Sequence, residues 1–172
     1  MNQKSVIRLT LLLIFFLTFL FKISEFYDLV SGLIVVVLLI FDLFEKNHKN
    51  NFITEFIYYF SWTIITLITF TIRGSYIRPF NPIFIILIIK LTTSALYLIR
   101  YKSIQVTRTL LSKITLTFFA LYIIELLTNS THGFASNVIF WTKISSIELI
   151  LILLIKKDRI DYKVSIVNFI WK

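Results

Sequence analysis

The chain contains no cysteine. Disulfides, thiolate metal sites and thiol catalysis are therefore excluded. Glycine numbers three and proline two, too few for glycine-rich phosphate loops. Gly-xxx-Gly helix seams are missing. The prolines, Pro79 and Pro82, fall in a connection rather than inside an apolar run, so the interrupted helices of many carriers are not expected. Charge is also scarce. Asp, Glu, Lys and Arg make up 16% of the 172 residues, against about a quarter in soluble domains.

Catalytic signatures are missing as well. The sequence has no phosphate loop, no His-Glu-x-x-His and no Gly-x-Ser-x-Gly. Its two histidines, His48 and His132, stand alone in polar stretches. The carboxylates Glu125 and Glu148 are the one candidate acid–base pair, and they fall at different depths of their apolar runs. Neither an enzyme, a metal site nor a bound cofactor is expected. Asn129-Ser130-Thr131 matches a glycosylation sequon, a short motif that matters only in a eukaryotic secretory setting.

What the chain does have is long apolar runs, with 58% of its residues apolar. Six stretches stand out, at about 6–24, 27–44, 52–72, 83–101, 114–131 and 134–155. A bilayer core needs roughly 20 apolar residues per helix. Six such spans fill one membrane domain and leave no room for a soluble one. The second run is marginal in length. The runs are apolar all round rather than alternating, which reads as helices and not as strands of a closed barrel. The apolar core of the first run, Leu9–Phe21, follows Lys4 and Arg8 as in a signal peptide, but no small-residue cleavage step follows it. An uncleaved first helix is expected. Tyr58, Tyr59 and Trp62 near the start of the third run read as interfacial aromatic anchors.

The Lys and Arg residues fix an orientation. With the N-terminus inside, thirteen of the eighteen lie on the inner side and three (Lys22, Arg73, Arg78) on the outer. Lys90 and Lys143 fall within runs. Positive charge concentrates on the cytoplasmic side of membrane proteins, so both termini are expected there. The fold class is then an all-α, polytopic bundle of six transmembrane helices with a basic cytoplasmic tail at 156–172. A bacterial cytoplasmic membrane is the expected location.

The net charge is +9. The positives flank apolar runs instead of forming a continuous patch, so an anionic inner leaflet is the expected partner rather than nucleic acid. The leaflet-contacting candidates are Arg100, Lys102, Arg108 and Lys113 in the connector before the fifth run. Lys156, Lys157 and Arg159 join them in the tail.

Charges inside apolar runs are costly and mark paired or functional positions. Counting about 1.5 Å per residue, Lys90, Glu125 and Lys143 lie roughly 9 to 13 Å below the outer face, with Glu148 deeper. They form a candidate intramembrane charged layer, in which Glu125 is expected to pair with Lys90 or Lys143. Lys143 and Glu148 are five residues apart and do not face each other.

These features suit a small non-enzymatic accessory subunit of an export or uptake system, or an immunity-type protein against a toxin or bacteriocin. Partners would be other membrane or ATP-binding transport subunits. The alternative is a small-solute or ion transporter or channel-like module built on the charged layer. Phe26–Ile68 resembles the second and third helices of bacterial six-span cation channels, with Asp42 closing an apolar run before a Lys/Asn-rich link and an aromatic helix. The likeness covers about a quarter of the chain. The fourth run lacks an arginine every third residue, and no Thr-Val-Gly-Tyr-Gly filter follows the fifth.

Overall fold

The computed structural model describes residues 3–21, 27–44, 52–73, 82–101, 109–130 and 133–155. Among them, all regular secondary structure is helical. The six helices are α1 (Gln3–Phe21), α2 (Tyr27–Phe44), α3 (Phe52–Arg73), α4 (Pro82–Tyr101), α5 (Leu110–Leu127) and α6 (Phe134–Ile155). Three stretches are long and apolar enough to cross a bilayer: Tyr27–Phe44, Leu110–Leu127 and Phe134–Leu154. α1 and α3 carry shorter apolar stretches, Ser5–Leu20 and Phe56–Thr71. The run read as marginal is therefore one of the three full-length stretches, and the most apolar of them.

Helix boundaries follow local chemistry. Pro82 opens α4 at the first helical position, where a missing N–H costs nothing. α5 starts at Leu110, four residues before the expected 114. Thr109 explains the difference: its Oγ1 accepts a hydrogen bond from the Ser112 N–H at 3.1 Å, and its carbonyl accepts from Lys113 N at 3.1 Å. That is an N-cap. Lys113 therefore lies inside a helix rather than in a connector. α5 also ends earlier than expected, at Leu127. Asn129 adopts a left-handed backbone with φ 52°. Ser130 N donates to Glu125 O at 3.1 Å, and Asn129 N donates to Leu126 O at 3.3 Å. This Schellman-type closure satisfies the last carbonyls and stops the helix. α1 begins three residues before the expected start at 6, and its expected end at 24 lies outside the described residues.

The chain divides into two compact units. The first comprises residues 1–79 and 120–134. In it α1 packs against both α2 and α3, and its buried side chains include Phe15, Val35, Leu38, Ile65 and Ile123. Gly32 of α2 faces Ile124, and a Cβ at Gly32 would meet Ile124 Cγ2 at 3.8 Å, an ordinary contact.

The second unit comprises residues 80–119 and 135–172. Here the first half of α5 lies against α6. Thr115 Oγ1 donates to the Trp141 carbonyl at 3.0 Å, and the Phe118 and Trp141 rings stack with centroids 5.9 Å apart.

Hydroxyls inside the helices bond back to their own backbone. Ser61, Thr66 and Thr69 donate to the carbonyls of Ile57, Trp62 and Ile65 at 2.6 to 2.8 Å. In an apolar medium this keeps a polar side chain satisfied without a neighbour. Large apolar side chains such as Leu13, Leu20, Leu33, Phe56, Phe140 and Leu154 point outward. Outward Leu and Phe on helices this apolar suit lipid rather than water. The chain is a helical, membrane-associated protein.

Candidate functional site

Asp42 lies near the end of α2, on the same face as the buried Val35, Leu38 and Leu39. Its side chain is 1% exposed. A carboxylate at such a position needs partners, because burying an unpaired charge is prohibitive. Two neighbouring helices supply them. Arg8, in the second turn of α1, forms an ion pair through its Nη2 with Asp42 Oδ1. Trp62 of α3 donates its indole N–H to Asp42 Oδ2 at 2.7 Å. The Arg8 guanidinium also lies over the Tyr58 ring, 4.9 Å from its centroid, within the range of a cation–π attraction. Tyr58 and Trp62 are four residues apart on α3 and therefore share a face.

The cluster ties the start of α1, the end of α2 and the first turns of α3 into one electrically balanced knot. Beside it is a cavity of about 20 Å³, lined by Ser5, Arg8, Leu38, Phe41 and Ile57 among others. That is room for one water. Ser5 is 3% exposed, and among the described residues its hydroxyl has no hydrogen-bond partner.

This cluster gives two side chains partners that the run pattern does not show. Trp62, expected as an interfacial anchor, is 7% exposed and holds Asp42. Arg8, one of the positives on the expected inner side, is ion-paired to Asp42 and lies over Tyr58. The sequence holds only part of this signal: Arg8 and Asp42 are opposite charges near the ends of apolar runs, and which helices are neighbours decides whether they meet.

A second buried carboxylate, Glu125, is 5% exposed. Its side chain reaches over the tight link after α5 to the start of α6. Oε1 accepts from the Gly133 N–H, and Oε2 accepts from the Phe134 N–H at 3.0 Å. Both oxygens thus take orphan backbone donors at a helix N-terminus, where negative charge is favoured. The partner found for Glu125 is backbone, whereas a lysine was expected.

The other members of the expected charged layer, Lys90, Lys143 and Glu148, belong to the second unit. Lys90 is half-buried on α4, one turn from the buried Ile86 and Thr93. Glu148 is buried on the inward face of α6, together with Ser145, Leu149 and Ile152. Lys143 is exposed on the opposite face. Of the leaflet candidates, Arg100 is exposed at the end of α4 and Lys113 is half-buried in the first turn of α5. Lys102, Arg108, Lys156, Lys157 and Arg159 lie outside the described residues.

Among the described residues, no group of three or more His, Asp or Glu side chains could hold a metal ion. No known family, curated protein or solved structure matches the chain.

Proposed function

We propose that the chain is a six-span protein of the bacterial cytoplasmic membrane with both termini inside, acting as a non-enzymatic accessory protein. It works by contact with another membrane component: a subunit of an export or uptake system, its ATP-binding partner, or the target of a toxin against which it confers immunity. One observation carries this reading. The buried carboxylates Asp42 and Glu125 are held by Arg8 and Trp62 and by the start of α6, while the helices turn many large apolar side chains outward. Polar groups held in this way stabilise a scaffold and leave its membrane-facing surface to do the work. The thirteen-to-three distribution of Lys and Arg supports the orientation.

The test has two arms. Reporter fusions at His48, Pro79, Gln105, His132 and Lys172 should read inside, outside, inside, outside, inside; an external signal at Lys172 overturns the topology. The purified chain, reconstituted alone in vesicles, should carry no proton or small-ion flux, and the tagged chain should leave its native membrane with a stoichiometric membrane partner. Flux through the chain alone overturns the accessory reading in favour of a transporter or channel-like module.

A further inference from the structure

α6 carries two faces of different character. Its inward face is buried at Val138, Thr142, Ser145, Leu149 and Ile152. Its outward face bears Phe140, Lys143, Ile147, Ile150 and Leu154. The outward residues recur at intervals of three, four, three and four. That alternation is the seam by which one helix packs along another. The apolar members are 56%, 57%, 37% and 71% exposed. Lipid alone would cover them adequately, since lipid tails are as apolar as leucine.

Lys143 is what lipid cannot satisfy. It lies nine residues into a 22-residue helix, about 13 Å from its start. Its flexible stem covers only about half that distance, so the ammonium does not reach the outer surface by extending along the helix. Among the described residues of its own unit the one carboxylate is Glu148, and that side chain is buried on the far side of α6.

We infer that the outward face of α6 is a docking seam for a partner transmembrane helix bearing a carboxylate at the depth of Lys143. The proposal rests on the accessory, membrane-spanning reading above and names the chemistry of its partner. A cation facing outward from an apolar seam selects an acid-bearing helix, because the alternative for both groups is an unpaired charge in hydrocarbon. A second copy packed in parallel through the same seam would set Lys143 against Lys143, and like charges disfavour it. The apolar seam supplies shape, and Lys143 supplies register and choice of partner.

The absence of cysteine allows a clean test. Full-length protein carrying Leu110→Cys, at the exposed start of α5 and outside the seam, is labelled with a donor dye and reconstituted in phosphatidylcholine vesicles. The probe is an acceptor-labelled, leucine-rich transmembrane peptide with one central Glu, compared with the same peptide carrying Gln. Energy transfer should show the Glu peptide binding about tenfold more tightly than the Gln peptide. Lys143→Met should abolish that preference, and Lys143→Arg should keep it. Since Lys143 is exposed, these variants should retain helicity, which circular dichroism checks. Equal binding of the two peptides, or a preference that survives Lys143→Met, overturns the proposal. So does energy transfer between donor-labelled and acceptor-labelled copies of the protein that neither peptide displaces, which assigns the seam to a second copy. Failure here leaves the accessory reading standing on its own flux and co-purification results.

Discussion

Asp42 and Glu125 are both carboxylates buried in apolar helices, yet they are satisfied by different means. Asp42 draws its partners from two other helices, an arginine from α1 and an indole from α3. Glu125 draws both of its partners from backbone N–H groups eight and nine residues further along the chain. The first arrangement fixes tertiary packing, because three helices must be in place for it to exist. The second fixes a local hairpin and would survive as long as α5 and α6 remain adjacent. A cross-helix charge pair is therefore expected to couple distant mutations, and a backbone cap is not.

Removing one partner of the cross-helix pair should have the largest effect. Arg8→Met strands Asp42 in a buried site, and breaking a buried pair in this way typically costs about 3–5 kcal/mol. Thermal or denaturant unfolding of the detergent-solubilised protein reads the loss. An effect no larger than that of an exposed substitution such as Lys143→Met would remove the basis for distinguishing the two carboxylates.

Glu125→Gln should come next, at about 2–3 kcal/mol, the scale of losing a charge-assisted hydrogen bond and leaving a buried donor unmet. Because the partners are backbone, adding Lys90→Met or Lys143→Met should not restore stability. Rescue by either lysine substitution would turn Glu125 into a second cross-helix pair and erase the contrast.

Trp62→Phe keeps the ring and deletes only the N–H donated to Asp42. A loss of about 1.5 kcal/mol is expected, smaller than for Arg8→Met because the ion pair persists. Near-ultraviolet circular dichroism alongside unfolding separates this from general loosening. Equal losses for Trp62→Phe and Arg8→Met would mean that the indole, not the arginine, holds the carboxylate.

The smallest change should be favourable. Gly32→Ala adds a methyl at ordinary contact distance from Ile124 and removes a flexible residue from a helix interior. It should stabilise by about 0.5–1 kcal/mol. Destabilisation would show that α2 packs against the second half of α5 more closely than a 3.8 Å Cβ contact implies.

Much of the helix pattern was legible in the sequence, since apolar runs between charged links announce themselves. α2, α3, α4 and α6 begin and end within a residue of the expected limits. α5 did not, because its ends are set by hydrogen bonds rather than by hydropathy. Thr109 captures the start and Asn129 turns the chain at the finish. The candidate site was less legible. A depth estimate along each run grouped Lys90, Glu125 and Lys143, but depth carries no information about rotation around the helix. Rotation is what puts Lys143 outside and Glu148 inside on the same α6. Arg8 and Asp42 were passed over because each stood near the end of a run, where a charge usually meets water. Their pairing depends on which helices are neighbours, and spacing along one chain does not give that.

The most direct test of the cross-helix pair is a double-mutant cycle between Arg8→Met and Asp42→Asn, read by unfolding free energy in detergent. Asn at 42 keeps an acceptor for the Trp62 N–H, so the cycle isolates the ion pair. The double variant should be more stable than Arg8→Met alone, because no charge remains stranded, giving a coupling of about 1–3 kcal/mol. Strictly additive losses would contradict the pair and with it the distinction between a tertiary knot and a local cap.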